Sequence, residues 1–383
     1  MKLKRLMALI VLMSVLASSL NLASINKTKV TLASSGISSA ERNAFYKNSA
    51  FIGSSIGVGL NNYFKAKGSG YLGGPKMLVR GCYSFMNDER NNTPYIIHYK
   101  GVAMKARYAL KAANVDRAFI CMGTNDMWES PTAMYNRYVR YLKGIRSSNP
   151  DLTIFIQSTP PTRRSSGNLA NRNVNAANAL IKKYCESQKD MYYIDISTAL
   201  KDSTGKLKSS YCSDGYCHLT FAGYAKWMST QIAYTDRLML DEKNAKAKLT
   251  AAQKKIKKLL NKSKTSCNKK LITKAQNSYA TAKEYISRLD KSTLKTTLNA
   301  KLKSKKESIK KIKKNVNNNI KKKKAEEAKK KAEEAAKKAA EEEAKKKAEE
   351  AKNASSDADK TTASSDASTA VSSSDASANA ASN

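Results

Sequence analysis

The sequence predicts an α/β domain built on a parallel sheet, followed by a helical, lysine-rich extension. Over residues 45–240, short apolar runs at 50–53, 76–79, 117–122, 152–157 and 191–196 alternate with stretches of helical period. The runs are rich in Val, Ile and Phe, and strands of that kind alternating with helices form a parallel sheet covered on both faces. From about residue 241 glycine and proline disappear and lysine takes over.

At the start, MKLKR followed by an apolar run over residues 6–17 reads as an export signal, with small residues at Ala17, Ser18, Ser19 and Ala23 for cleavage. Residues 1–23 are therefore expected to be a signal peptide and 24–44 a linker. No other stretch reaches the roughly 18 apolar residues of a transmembrane helix. In such sheets ligands bind beyond the carboxyl ends of the strands, so the loops following the apolar runs are where chemistry belongs. Helical period fills 102–113 and 131–145, the second opening on Ser130-Pro131, a capping residue and a proline at the first helical position.

The extension divides by composition. Residues 241–320 are expected to form a separate basic module of three helices, near 245–260, 270–289 and 294–315, with lysine stems lying along a small bundle. The formal net charge is +39, and residues 243–324 hold 28 basic residues against three acidic ones. The basic excess therefore says little about the domain upstream. Residues 321–352 repeat Ala, Glu and Lys, with Glu before Lys at four-residue spacing in Glu326/Lys330, Glu333/Lys337 and Glu342/Lys346. Such pairs favour a single solvated helix, roughly 40 Å long over residues 325–352, and no apolar side chain larger than alanine offers a coiled-coil seam there. The Ser/Ala/Asp-rich residues 353–383 are expected to be disordered.

Six cysteines fit an exported chain with a core of its own. Cys212 and Cys217, flanking a short loop, are the expected disulfide. Without a CxxC pair and with two histidines, no metal site or other cofactor is expected.

A serine nucleophile at neutral pH needs an adjacent base, usually histidine. The candidates are His98, in the apolar PYIIHYKG, and His218, in the loop SDGYCHLTFAGYAKW. FIGSSIGVG sets Ser54 and Ser55 where a strand ends and a helix begins, near a helix N-terminus that favours negative charge. MGTNDMW repeats that pattern, and Asn125 there either donates to an oxyanion or caps the turn.

Ser55 in GSS, Gly81 in VRGCYSF, Asn125 in GTND and His218 in DGYCHLT occur in the order of the signature blocks of the SGNH hydrolases, the GDSL esterase family. The resemblance spans residues 45–240 and extends to IFIQSTPPT, NRNVNAANALI and YYIDIS. It implies a three-layer α/β/α sandwich with a five-stranded parallel sheet, flavodoxin-like. It also implies a catalytic Ser55 with His218 as base and Asp214 orienting it. The oxyanion hole would be the Ser55 and Gly81 amides with the Asn125 side chain. Two departures stand out: Ser54 replaces the usual aspartate of GDS, and Asp214 precedes His218 by four residues rather than three.

The family, the export signal and the basic extension together predict an extracellular or envelope-associated esterase, of a Gram-positive-like cell, that removes O-acyl groups from a carbohydrate. A lipid ester is the first alternative, and a non-catalytic surface protein the second. The basic region would act as a spacer or bind an anionic wall polymer, and no nucleic-acid partner is expected.

Overall fold

The computed structural model describes residues 36–164 and 166–357. The expected signal peptide and all but the first five residues of the expected tail lie outside the described residues. Those described fall into two units, one comprising 36–263 with 269–313, the other 264–268 with 314–357.

The first unit contains the predicted sheet. Its strands are β1 (Ser49–Gly53), β2 (Lys76–Val79), β3 (Arg117–Cys121), β4 (Thr153–Gln157) and β5 (Met191–Ile194). They lie in the order β2-β1-β3-β4-β5, all parallel. The central strands β1, β3 and β4 bury both faces because alternate side chains enter different cores, while edge strand β2 fully buries only Leu78. One face carries Ala50, Ile52, Leu78, Ile120, Ile154 and Ile156. The other carries Phe51, Phe119, Phe155 and Tyr192. Parallel register sets these four aromatics side by side, stacked with ring centroids 4.9, 4.6 and 5.0 Å apart.

Helices cover both faces, giving the three-layer sandwich. The helices are α1 (Ser39–Lys47), α2 (Ser55–Ala66), α3 (Phe85–Arg90), α4 (Ala106–Ala113), α5 (Pro131–Ser148), α6 (Asn171–Ser187) and α7 (Phe221–Ser263). Leu110, Leu142, Ile145, Val174 and Ile181 bring α4, α5 and α6 onto the aliphatic face. Tyr46, Ile56, Leu60, Trp227 and Met228 bring α1, α2 and α7 onto the aromatic one.

Two expected boundaries are corrected. The stretch expected to be a linker to residue 44 contains most of α1. Ser38 and Glu41 form a reciprocal capping box, Arg42 grips the buried Asp236 through two hydrogen bonds, and Tyr46 is fully buried. The basic module expected from residue 241 is not separate. Helix α7 runs through that position unbroken, and α8 (Lys270–Ser287) and α9 (Thr293–Lys303) pack on its second half through Ala245, Leu249, Ala282, Ile286, Leu298 and Leu302. The turn between α8 and α9 is bonded to the turn before β5. The Asp190 amide donates to the Lys291 carbonyl at 3.0 Å, the Thr293 amide to Asp190 Oδ1 at 2.7 Å, and Lys291 Nζ to the Ser187 carbonyl at 2.8 Å. The compositional shift at 241 is a change in what the outer faces carry, not a break in packing.

In the second unit, residues 314–357 are helical, the last part of α10 (Lys305–Asp357). Asn319 Nδ2 donates to the carbonyls of Lys264 and Ser266. Every residue from 321 to 352 is exposed. Of the expected pairs Glu342/Lys346 closes to 3.9 Å, whereas Glu333 meets Lys329 instead. The helix runs to Asp357, so residues 353–357, expected to be disordered, are helical.

Candidate active site

The sheet order brings three loops together. Strand β1 ends at Gly53, paired with Val79 of β2 on one side and Cys121 of β3 on the other. Ser55 follows Gly53 by two residues, Gly81 follows Val79 by two, and Asn125 follows Cys121 by four, so all three leave the carboxyl edge of adjacent strands. That edge, where strand order reverses about β1, is where parallel sheets bind ligands.

Ser55 opens α2, where first-turn amides lack intrahelical acceptors. Its Oγ lies 2.9 Å from His218 Nε2, and His218 Nδ1 lies 2.6 Å from Asp214 Oδ2. Ser54, the alternative serine, is buried and makes no capping hydrogen bond. Helix α2 approaches closely because Gly59 faces Tyr224, whose hydroxyl donates to the Ile56 carbonyl at 2.8 Å. A Cβ on Gly59 would fall 2.1 Å from that hydroxyl oxygen.

The four-residue spacing of Asp214 and His218 is absorbed by a turn. Gly215 adopts φ +69°, and Asp214 Oδ1 accepts the amides of Tyr216, Cys217 and His218 at 2.8, 2.9 and 3.2 Å. The Ser213 amide donates to the His218 carbonyl, and Cys212 bridges Leu219, closing the loop. Partial burial pushes the Asp214 carboxyl up, but the bonds from His218 and these amides outweigh it and hold it well below the usual carboxylate range. With Asp214 ionised, Nδ1 donates to it and Nε2 is free to accept from Ser55. The expected Cys212–Cys217 disulfide is absent, both thiols being free. The backbone turn holds the loop, with Cys212 Sγ turned to Asp214 Oδ1 and Cys217 Sγ buried.

Gly81 sits in a turn closed by the Tyr83 amide on the Arg80 carbonyl, while the Arg80 amide bonds Gly53. Among the described residues no backbone carbonyl takes the Gly81 amide, and a Cβ on Gly81 would meet nothing within 4 Å. Asn125 Nδ2 donates to the Tyr83 carbonyl at 3.0 Å, which orients the amide and leaves its second hydrogen available. His98 lies on a separate hairpin, with Nδ1 on the Ile96 carbonyl.

Several supporting residues were missed from the sequence. Asp126, next to Asn125, accepts the Phe85 amide at 2.9 Å, and burial pushes its carboxyl up to about 7 against the lowering effect of the Phe85 and Met86 amides. Tyr83 donates its hydroxyl to Asp88, which also accepts the Ala106 amide. Together they fasten the Gly81 loop to the rest of the fold. In α6, Asn178 brackets Thr159 and Asn171 brackets Thr162, each with two bonds of 2.9 Å, which explains the asparagine-rich helix. The GTND and NRNVNAANA strings were the available signals.

A three-layer α/β/α fold carrying an aspartate, histidine and serine in contact at the sheet edge defines a class of hydrolase scaffold. Residues 51–226 match the model of the GDSL-like lipase/acylhydrolase family. Solved structures similar to the chain include a carbohydrate esterase family 3 protein from Talaromyces cellulolyticus, at 14% identity over 50% of this chain and 98% of that one, TM-score 0.37. The Clostridium thermocellum family 3 carbohydrate esterase is 14% identical over 49% and 93%, TM-score 0.33. The lipase Lip_vut3 from a goat rumen metagenome is 16% identical over 48% and 95%, TM-score 0.36. No curated protein matches the chain.

Proposed function

We propose that this chain is an exported serine esterase that removes O-acyl groups, acetyl above all, from a carbohydrate. The observation that carries the reading is the unbroken contact from Asp214 through His218 to Ser55. Ser55 Oγ attacks the ester carbonyl while His218 Nε2 takes its proton. The Ser55 and Gly81 amides and the free Asn125 amide hydrogen receive the oxyanion, each such donor contributing about 3–4 kcal/mol. His218 then protonates the departing alcohol. Water, deprotonated by His218, cleaves the acyl-enzyme and releases the acid.

The choice of a carbohydrate rests on openness and on the chain's composition. The His218 and Asp214 side chains are 43% and 34% exposed, which suits a short acyl group projecting from a bulky polymer. The N-terminal apolar run supports export, and the basic residues 243–324 suit an anionic envelope polymer.

The full chain should be labelled by a fluorophosphonate probe, and Ser55→Ala should abolish labelling. Absence of labelling in the folded wild type would instead favour a non-catalytic surface protein. With p-nitrophenyl esters, acetate should be cleaved faster than long-chain acyl groups. The opposite preference would sink the deacetylase reading and favour a lipid ester.

A further inference from the structure

We infer that the His218 loop is a binding site for a thiophilic divalent cation of the zinc class, formed by Cys217 Sγ, His218 Nδ1 and the Asp214 carboxylate. Ligand atoms of these three residues all lie within 4.8 Å of one another. Cys217 Sγ is 4.0 Å from His218 Nδ1, and Asp214 Oδ2 is 2.6 Å from it. Around a tetrahedral zinc, with bonds of about 2.0–2.3 Å, neighbouring ligand atoms stand about 3.3–3.6 Å apart. The thiol therefore needs to close by about half an ångström and the carboxylate to open by less than one. Cys212 Sγ contacts the other carboxylate oxygen, Asp214 Oδ1, at 3.5 Å, so the fourth position is left to water. Thiolate, imidazole and carboxylate form a donor set suited to zinc rather than magnesium or calcium.

The loop's construction makes this possible. The amides of Tyr216, Cys217 and His218 converge on Asp214 Oδ1, so the turn persists when Oδ2 leaves the imidazole. The Cys217 thiol is buried, whereas the His218 and Asp214 side chains are partly exposed.

Occupancy has a definite chemical consequence. A metal bonded to Nδ1 takes the lone pair of that nitrogen, so the imidazole proton moves to Nε2. Nε2 then points an N–H at Ser55 Oγ and can no longer accept its proton. The Cys217 thiol loses its proton to solvent, so binding releases one proton and leaves dication, thiolate and carboxylate in charge balance. The cation would thus inhibit the esterase by fixing the wrong tautomer of its base, while leaving Ser55 unobstructed. This last step rests on the esterase reading; the binding site does not.

The test uses the reduced full chain and two readouts. Cadmium titration should produce a thiolate-to-metal charge-transfer band saturating at one equivalent, with one proton released. Cys217→Ala should lose that band, and Cys217→Ser replaces it if the alanine variant does not fold. Saturating zinc should slow fluorophosphonate labelling of the wild type by about tenfold or more, reversibly with chelator, and leave the Cys217 variant's labelling unchanged. An equal cadmium band in wild type and variant would assign the metal to another accessible thiol, Cys82, Cys212 or Cys267, and overturn the proposal. So would equal zinc inhibition of both proteins. If the wild type is never labelled, the esterase reading fails while the cadmium titration still decides the site.

Discussion

Replacing Asp214 by asparagine tests how the base is held, because the loop dictates which way the new amide must face. Asp214 Oδ1 accepts three backbone amides. In Asp214→Asn the side-chain carbonyl oxygen has to keep that position, since an NH2 there would face three donors. The nitrogen then occupies the place of Oδ2, 2.6 Å from His218 Nδ1. An amide nitrogen only donates, so Nδ1 must become the acceptor and the imidazole proton moves to Nε2, facing Ser55 Oγ across 2.9 Å. A serine hydrolase forced into that tautomer loses about 10⁴-fold in kcat, or about 5.5 kcal/mol of transition-state stabilisation. The variant should keep its circular dichroism, because the loop amides stay satisfied, and lose about four decades in p-nitrophenyl acetate turnover. Turnover within about tenfold of wild type would refute the reasoning, since it would mean that Asp214 does not govern the tautomer.

Two further outcomes follow from packing. Asp126 rises from 3.8 to about 7 in the fold, so the folded state binds its proton more tightly than the unfolded chain. Stability should therefore fall as pH rises between about 4 and 7, by on the order of 4 kcal/mol. Asp126→Asn should remove that slope in denaturant unfolding, and parallel profiles for the two proteins would count against it. Ending the chain after Leu240 deletes the partners of Asp190 and Ser187 on the turn between α8 and α9. The loss should destabilise the remaining domain by on the order of 3–5 kcal/mol. Ending it after Lys324 removes residues 325–352, all of them exposed, and should leave thermal unfolding unchanged. Equal melting of both truncations would refute the packing account.

What the sequence disclosed depended on how local each cause was. The five strands were legible because each is a short apolar run between turn signals, and their observed bounds fall within two residues of the expected ones. Ser55 and His218 were legible as candidate nucleophile and candidate base in loop settings, and the structure brings them into contact across 163 positions. Asn125 was read from the strand-end GTND pattern and Gly81 from the family resemblance, and the sheet order accounts for their shared edge. The supports were hidden because their partners are remote: Asp126 answers Phe85, 41 positions away, and Tyr83 answers Tyr141. Helix α1 had a local signal in Ser38 and Glu41, outweighed by a polar neighbourhood. The domain limit at 240 was misplaced because charge marks which faces meet water, whereas folding units follow apolar contacts.

Helix α7 joins two hydrophobic stripes on one rigid rod. Tyr224, Trp227 and Met228 face the sheet, while Ala245, Leu249 and Ala252 face α8 and α9. One residue inserted between positions 240 and 245 would rotate the second stripe about 100° against the first. Seven inserted residues would bring the stripes back to within about 20° of phase, though displaced by two turns along the axis. The spacing between the histidine loop and the lysine-rich helices is thus quantised by helical pitch, and a lineage that lengthens this connection has to do so in whole turns.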